Sequence, residues 1–415
     1  MSGKAQASIL AAALAAALSG ASFARAAAPE ECQTLRKHGH NDQANTCFES
    51  LTQAREPAIR AEGFWGLEMY QEANNEFRTA VAQSPANANC RVRWGRLLHE
   101  RFNNKDAADL FQEAIQRDPK NAQAYLGLAL VSADGFDNKA VEEAKKAIEL
   151  DPKLVEAHEL MANLALEDSD TKAAGAEADE ALKISAEALD AMAIHAAIEV
   201  LADRSPDAWL AKVRQVNPTY GEAYALVAHH LTLNMRFQDS VAYYRKAIEA
   251  DPKLWSAHSE LGIQLMRFGE TNEPLQQLEM SYDNGYRDAA TVNSLRLLDS
   301  YKNFLTFKDD TTIIKLHKKE AELLLPYVRA EVKHVIAAYE KKYKMKLPGP
   351  VQVELYPDHE DFAVRTLGMP GLGALGVTFG ELRILVCPVG LPRGSRYTRK
   401  RTSRPNGATA FRRKF

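Results

Sequence analysis

The sequence predicts an all-α solenoid of stacked helix–turn–helix repeats, followed by a small, incomplete α+β module. Three observations carry that expectation. Prolines recur at Pro85, Pro119, Pro152, Pro218 and Pro252, with gaps of 34, 33, 66 and 34 residues, and the double gap holds one repeat whose proline position has drifted to about Ala186. A constant period of this length marks an array in which each helix pair buries its apolar face only against its neighbours. Ahead of each proline stand three residues at i, i+4 and i+7: Ala73, Phe77 and Ala80; Ala107, Phe111 and Ala114; Ala140, Ala144 and Ala147; Ser240, Tyr244 and Ala247. That spacing shares one helix face, where small outer residues let helices approach and the middle residue usually fills the gap. After about Asn293 the helical period gives way to strand-like alternation.

The chain has 415 residues, 46% hydrophobic and 26% charged, which is ordinary for a globular protein. Its net charge of −3 conceals an asymmetry. Residues 390–415 carry nine Lys/Arg and no Asp/Glu, which leaves residues 1–389 with 43 basic against 55 acidic side chains, a net of −12.

Taken in order, residues 1–26 read as a secretory leader. Lys4 supplies the positive start, an apolar stretch runs from Ile9 to Ala21, and Ala24-Arg25-Ala26 offers a small-x-small cleavage site. The alternative is an Ala-rich first helix of the solenoid. The apolar stretch is short for a bilayer, and no later run approaches 18 apolar residues, so no membrane span is expected. Cys32 follows Pro29-Glu30-Glu31, which does not suit lipid anchoring. The expected location is periplasmic or secreted.

Cys32 and Cys47 flank His38-Gly39-His40-Asn41-Asp42, a sequence suited to a tight turn between antiparallel helices. Such a turn would place the two cysteines opposite each other as a disulfide in an oxidising compartment, or as two buried thiols otherwise. A metal site of His38, His40 and these cysteines is the lesser reading. Cys90 and Cys387 form no C-x-x-C pair, which excludes zinc-ribbon and thioredoxin-like chemistry.

Within the repeats, the proline ends each unit because it cannot continue a helix. Asp118-Pro119-Lys120, Asp151-Pro152-Lys153 and Asp251-Pro252-Lys253 are loop signals between units. First helices share Trp94-Gly95 with Leu98, Tyr125 with Leu128-Ala129, Tyr224 with Val227-Ala228, and Leu261-Gly262 with Leu265. On these motifs residues 30–290 resemble tetratricopeptide (TPR) repeats, about seven to eight of them. The repeat over 187–218 departs by a short second helix around Trp209, Leu210 and Val213, and Pro274 replaces the usual small residue in the last clear repeat.

The TPR resemblance implies a right-handed superhelix whose concave face, lined by first helices, binds a peptide or protein partner. Carried onto this chain, the groove positions are Arg96, His99 and Glu100, then Glu156, Glu159 and Asn163, then Glu222 and His229. The plainer reading makes these the solvated face of amphipathic helices. No paired basic clamp for a C-terminal carboxylate is present, and the acidic bias points to a basic or neutral partner rather than nucleic acid.

Over 300–386 the reading is a strand at 301–307, a long helix at 313–343 containing Pro326, and a half-buried strand at 351–356. A short helix capped by Asp358, a glycine-rich turn at 368–376 and a further strand follow. That order, with Val353-Glu354-Leu355-Tyr356-Pro357-Asp358-His359-Glu360-Asp361-Phe362 and Gly371-Leu372-Gly373-Ala374-Leu375-Gly376-Val377, resembles the opening half of a gluzincin (peptidase MA-like) metallopeptidase domain. The family's next element is an H-E-x-x-H helix that binds zinc. Here His99-Glu100, His158-Glu159 and His359-Glu360 all lack the second histidine, so no metal, cofactor or catalytic residue is expected. The basic, aperiodic text from 387 onward is either a tail for an anionic surface or an out-of-frame reading of the lost half. G-x-x-x-x-G-K-[ST] and G-x-S-x-G are absent too. The leading expectation is an exported, non-catalytic interaction scaffold; the alternatives are a truncated or frameshifted zinc peptidase and an anion-binding tail.

Overall fold

The structure, a computed structural model, describes residues 28–135, 137–374, 376–379 and 383–386. The leader expected over 1–26, Cys387 and the basic tail over 387–415 lie outside the described residues.

The repeats fold as consecutive helix pairs. The first four are α1 (Pro29–Lys37) with α2 (Asn41–Leu51), α3 (Pro57–Gly66) with α4 (Tyr70–Gln83), α5 (Ala88–Glu100) with α6 (Asn104–Arg117), and α7 (Ala122–Asp134) with α8 (Lys139–Leu150). The next four are α9 (Val155–Glu167) with α10 (Thr171–Ile184), α11 (Leu189–Leu201) with α12 (Asp207–Val216), α13 (Glu222–Leu233) with α14 (Phe237–Ala250), and α15 (Trp255–Arg267) with α16 (Asn272–Asp283). A further helix, α17 (Ala289–Ser300), follows them. The described residues divide into two compact regions, one up to Leu265 plus Asn272–Thr291, the other Met266–Thr271 plus the residues from Val292.

Local chemistry sets the period. Asn87, Asn121 and Asp170 cap first or second helices by accepting the amides of Cys90, Ala124 and Ala173. At the Asp-Pro-Lys junctions, Asp118, Asp151 and Asp251 turn extended, and their carboxylates accept the amides of Lys120, Lys153 and Lys253 at 3.1, 3.0 and 2.9 Å. Each junction is thus an Asx turn that stops one helix pair and aims the next. Pro274 falls in the first turn of α16, where a missing N–H breaks no helical bond. Inside the pairs, the turn between first and second helix passes through the left-handed region at Glu68, Phe102, Ser169, Asp203 and Met235, with φ between 56° and 63°. These are side chains that occupy that region only at a cost, and stacking of the flanking helices holds them there.

The small–large–small face is the core. Ala107, Phe111 and Ala114 are fully buried, as are Ala140, Ala144 and Ala147. The ring of Phe111 lies between Gly95 of α5 and Gly127 of α7, since a Cβ at either glycine would fall 2.7 or 2.3 Å from its edge. One aromatic ring therefore bridges two successive repeats. Tyr244 holds the same place later in the array, at 2% exposure.

In the first pair, Cys32 and Cys47 are joined as a disulfide with Cα atoms 5.4 Å apart. The bridge closes a separation of 15 residues, for which chain-entropy reasoning gives a stabilisation of roughly 3 kcal/mol. Reductant is therefore expected to lower the melting temperature of purified protein, and non-reducing digestion should yield one Cys32–Cys47 linked peptide by mass spectrometry. Recovery of both residues as free thiols from an oxidising compartment would contradict the pairing.

The C-terminal region is a five-stranded mixed sheet in the order β1-β2-β3-β5-β4. Its strands are β1 (Phe304–Lys308), β2 (Thr312–His317), β3 (Val351–Leu355), β4 (Gly376–Phe379) and β5 (Arg383–Val386). The β1–β2 and β4–β5 pairs are antiparallel, and β2–β3 and β3–β5 are parallel. Helix α18 (Lys318–Tyr343) connects the parallel β2 and β3, and α19 (His359–Leu367) leads from β3 towards β4, with Asp358 capping α19 as expected from the sequence.

Three expectations change here. The strand expected over 301–307 begins only at Phe304, after a 3-10 turn over Tyr301–Asn303. The helix expected over 313–343 begins only at Lys318, because Thr312, Ile314 and Leu316 alternate onto the buried face of β2. Asp309 forces the reversal between β1 and β2 by accepting bonds from the amides and hydroxyls of Thr311 and Thr312. Strand β3 is buried on both faces rather than one. Val351, Val353 and Leu355 join Ile314, Leu316 and Ala321 in an apolar core. On the other face Glu354, at 1% exposure, accepts bonds from Tyr356 Oη (2.6 Å) and Arg365 Nε (3.1 Å), with Lys315 Nζ at 3.4 Å.

Candidate functional site

The inner side of the array gathers carboxylates by repetition. Glu156, Asp190 and Glu222 stand four residues after Pro152, the drifted Ala186 position and Pro218, so they occupy the same place in three consecutive repeats. Each sits in the first turn of a first helix, α9, α11 or α13. Helix N-termini carry partial positive charge, which favours acids there. Glu159 lies one turn further along α9, and its Oε1 accepts the Ala191 amide of α11 at 3.2 Å.

These groups line a cavity of about 520 Å³. Its acidic wall is Glu156, Glu159, Glu187, Asp190, Glu222 and Asp251, with Tyr220 among them. The first helix pair lines it as well, through Gln33, Arg36, Lys37 and Asn41.

Crowding of like charges away from bulk water shifts the titration of this wall. Burial first, and then the charge of Asp190, push Glu159 up to about 8, against the Ala191 amide and the nearby Lys37. Burial raises Asp190 as well, although Tyr220 Oη donates to it at 2.6 Å. Glu222 keeps contact with solvent, yet burial of its remaining surroundings and the charges of Asp251 and Asp190 bring it up to about 7. The cavity therefore holds protons near neutrality that a bound cation would release.

The expected groove residues separate into distinct places. Glu156, Glu159 and Glu222 line the cavity, and Arg96 reaches it by pairing Nη1 with Glu156 Oε2 at 2.8 Å. Asn163 and His229 form a second inner cluster with Glu167 and His230. Asn163 donates to Glu167 Oε1 at 2.8 Å and faces His230 Nε2 at 2.9 Å, and His229 lies 3.8 Å from Glu167. Burial holds His230 down to about 3, hence neutral, whereas for His229 the Glu167 bond and the charges of Glu260 and Glu167 outweigh burial and raise it. His99 pairs with Asp134 at 3.0 Å, and Glu100 accepts from Trp65 Nε1 at 2.7 Å, so both are engaged within the early repeats.

Asp190, Tyr220, Glu187 and Asp251 were not among the expected positions. Asp190 was legible: aligning the drifted repeat on Ala186 places it beside Glu156 and Glu222. Arg36 and Lys37 were not, because they come from a helix pair four to six repeats away in sequence. Among the described residues no three His, Cys, Asp or Glu side chains converge as a metal site, and no helix is long and apolar enough to cross a membrane.

The array is TPR-like. Its helix pairs follow the 34-residue proline spacing, and its buried small–large–small faces are those the repeat pattern calls for. No protein-family model and no curated protein matches the chain. Among solved structures it is similar to TTC0263, a thermophilic TPR protein of Thermus thermophilus, at 15% identity and TM-score 0.35, over 51% of this chain and 97% of that one. It is also similar to a tetratricopeptide repeat protein from Parabacteroides merdae, at 15% identity and TM-score 0.41, over 61% and 98% respectively.

Proposed function

We propose that the array is a protein-interaction scaffold whose inner cavity receives a basic, extended segment of a partner chain. The observation that carries this reading is the recurrence of Glu156, Asp190 and Glu222 at one repeat position, reinforced by Glu159. Stacked helices lie roughly 8–10 Å apart, and an extended chain advances about 3.3 Å per residue. A segment with Lys or Arg at about every third residue would thus meet one carboxylate per repeat. Export to a periplasmic or extracellular space belongs to the same proposal, supported by the Cys32–Cys47 bridge, which oxidising compartments sustain.

The test is fluorescence anisotropy with a labelled Lys/Arg-rich nonapeptide and the full chain. Because a cation binds the ionised wall, and Glu159 and Glu222 titrate near 8 and 7, affinity should rise between pH 6 and pH 8.5, by at least about tenfold. Glu159→Gln with Glu222→Gln should weaken binding and flatten that dependence. An affinity indifferent to pH and to both substitutions would remove the cavity from the function.

A second proposal concerns the C-terminal region. Its order of hairpin, long helix, strand, short helix, glycine-rich turn and antiparallel edge strand favours a relation to the opening half of gluzincin domains. The described residues supply no three-donor set for zinc, so no hydrolytic step is assigned to them.

A further inference from the structure

The solenoid curves far enough to touch itself, and it does so at two places on the array. At the first, the α1–α2 corner meets the repeats of α11 to α13. His38 Nε2 lies 3.0 Å from Glu187 Oε2, with Lys37 Nζ 3.7 Å from the same oxygen. Gly39, in the left-handed region at φ +75°, approaches Asn217 so closely that a Cβ would lie 2.6 Å from its Oδ1. Asn217 Oδ1 is held there by the amide and hydroxyl of Thr219. At the second place, Arg101 donates to the Gly285 carbonyl, and the Phe102 ring meets Tyr286 edge-on with centroids 5.0 Å apart. The contacts join residues 149 and 184 positions apart in the chain.

The first contact also borders the carboxylate cavity, because Lys37 and its neighbours line it together with the acids. We infer that this seam between successive turns of the solenoid is a gate, and that Lys37, beside the His38 ring bonded to the same carboxylate, serves as an internal counter-ion which an incoming basic segment displaces. The counter-ion part rests on the cavity reading above; the seam does not. The chemistry is one of exchange. Glu187 loses the Lys37 ammonium and the His38 ring bond and gains the cations of the segment, so both states keep the wall compensated and the difference between them is small. Access follows from relaxation of the solenoid's pitch rather than from a hinge beside the corner. The corner is fixed to α3, since a Cβ at Gly66 would fall 2.2 Å from the Phe48 ring.

Two variants of the full chain test this, by amide hydrogen exchange and by binding of the same labelled Lys/Arg-rich nonapeptide. Lys37→Ala with His38→Ala removes the counter-ion and leaves every acidic wall residue in place. Phe102→Gly removes the ring from the second contact at a backbone position, φ 61°, that glycine adopts freely. Both should speed exchange over residues 30–42, 185–221 and 282–290. The first should also tighten the peptide by about two- to fivefold, as loss of competing exposed ion pairs predicts. Unchanged exchange in both variants overturns the gate, whatever the peptide does. Faster exchange with unchanged or weaker peptide binding overturns the counter-ion role. Faster exchange where even the unaltered chain binds no peptide upholds the seam and discards the cavity reading instead.

Discussion

Phe111→Ala is expected to destabilise the array by roughly 3–5 kcal/mol, at the upper end of large-to-small core substitutions. The ring is fully buried, and two glycines on different helices have given up their side chains to admit it. Neither can grow to fill the space after truncation, so the cavity remains and the transfer and cavity penalties add. The loss should appear as a lower urea midpoint by circular dichroism. It should also weaken both junctions that the ring spans, exposing α5 and α7 together to amide exchange. A change below about 0.5 kcal/mol, typical of a surface site, would place Phe111 outside the core and overturn the phase of the repeat.

Arg365→Met should be comparably damaging to the C-terminal region, by roughly 3–5 kcal/mol, because it removes the charge that most offsets burial of Glu354. Burial alone would raise Glu354; the charges of Arg365 and Lys315, with bonds from Tyr356 and Arg365, reverse this and hold it down to about 2. The sign follows from linkage. A carboxylate whose folded pKa is depressed contributes stability above its unfolded value, near 4.5, and loses it as pH falls through about 2. In the variant only Lys315 and the Tyr356 bond still oppose desolvation, so the depression is weakened and the damage should be greater at pH 7 than at pH 4. Exchange protection of β3 and α19 amides at the two pH values measures it. Equal protection in variant and parent at pH 7 would show that the ion pair contributes nothing to the fold.

The repeat architecture was legible because it is local. Proline period, helix-face spacing and Asp-Pro-Lys turns each act within a few residues, and the structure realises them as helix stops, packed faces and Asx turns. The left-handed residues were not legible, since Glu68, Phe102, Ser169, Asp203 and Met235 share no side-chain chemistry and tertiary stacking imposes their conformation. In the C-terminal region, alternation in Val351-Gln352-Val353-Glu354-Leu355 suggested one wet face. Only the fold brings Arg365 and Lys315 to Glu354 and so makes that polar face an interior one. The cavity was half legible: the carboxylates follow the repeat, whereas the basic wall depends on how far the solenoid bends.

Contact between Phe102 and Tyr286 changes the kind of object the array is. A straight stack of helix pairs is a linear chain of nearest-neighbour couplings, in which a defect is felt one repeat away and folding can begin anywhere. Joining positions 184 residues apart turns that chain into a loop, where each interior repeat is coupled to the rest along two routes. Loop-closure entropy falls on a flexible chain; here ordering of the intervening repeats is what brings the two ends together, so the seal is sensitive to the summed curvature of every repeat between them.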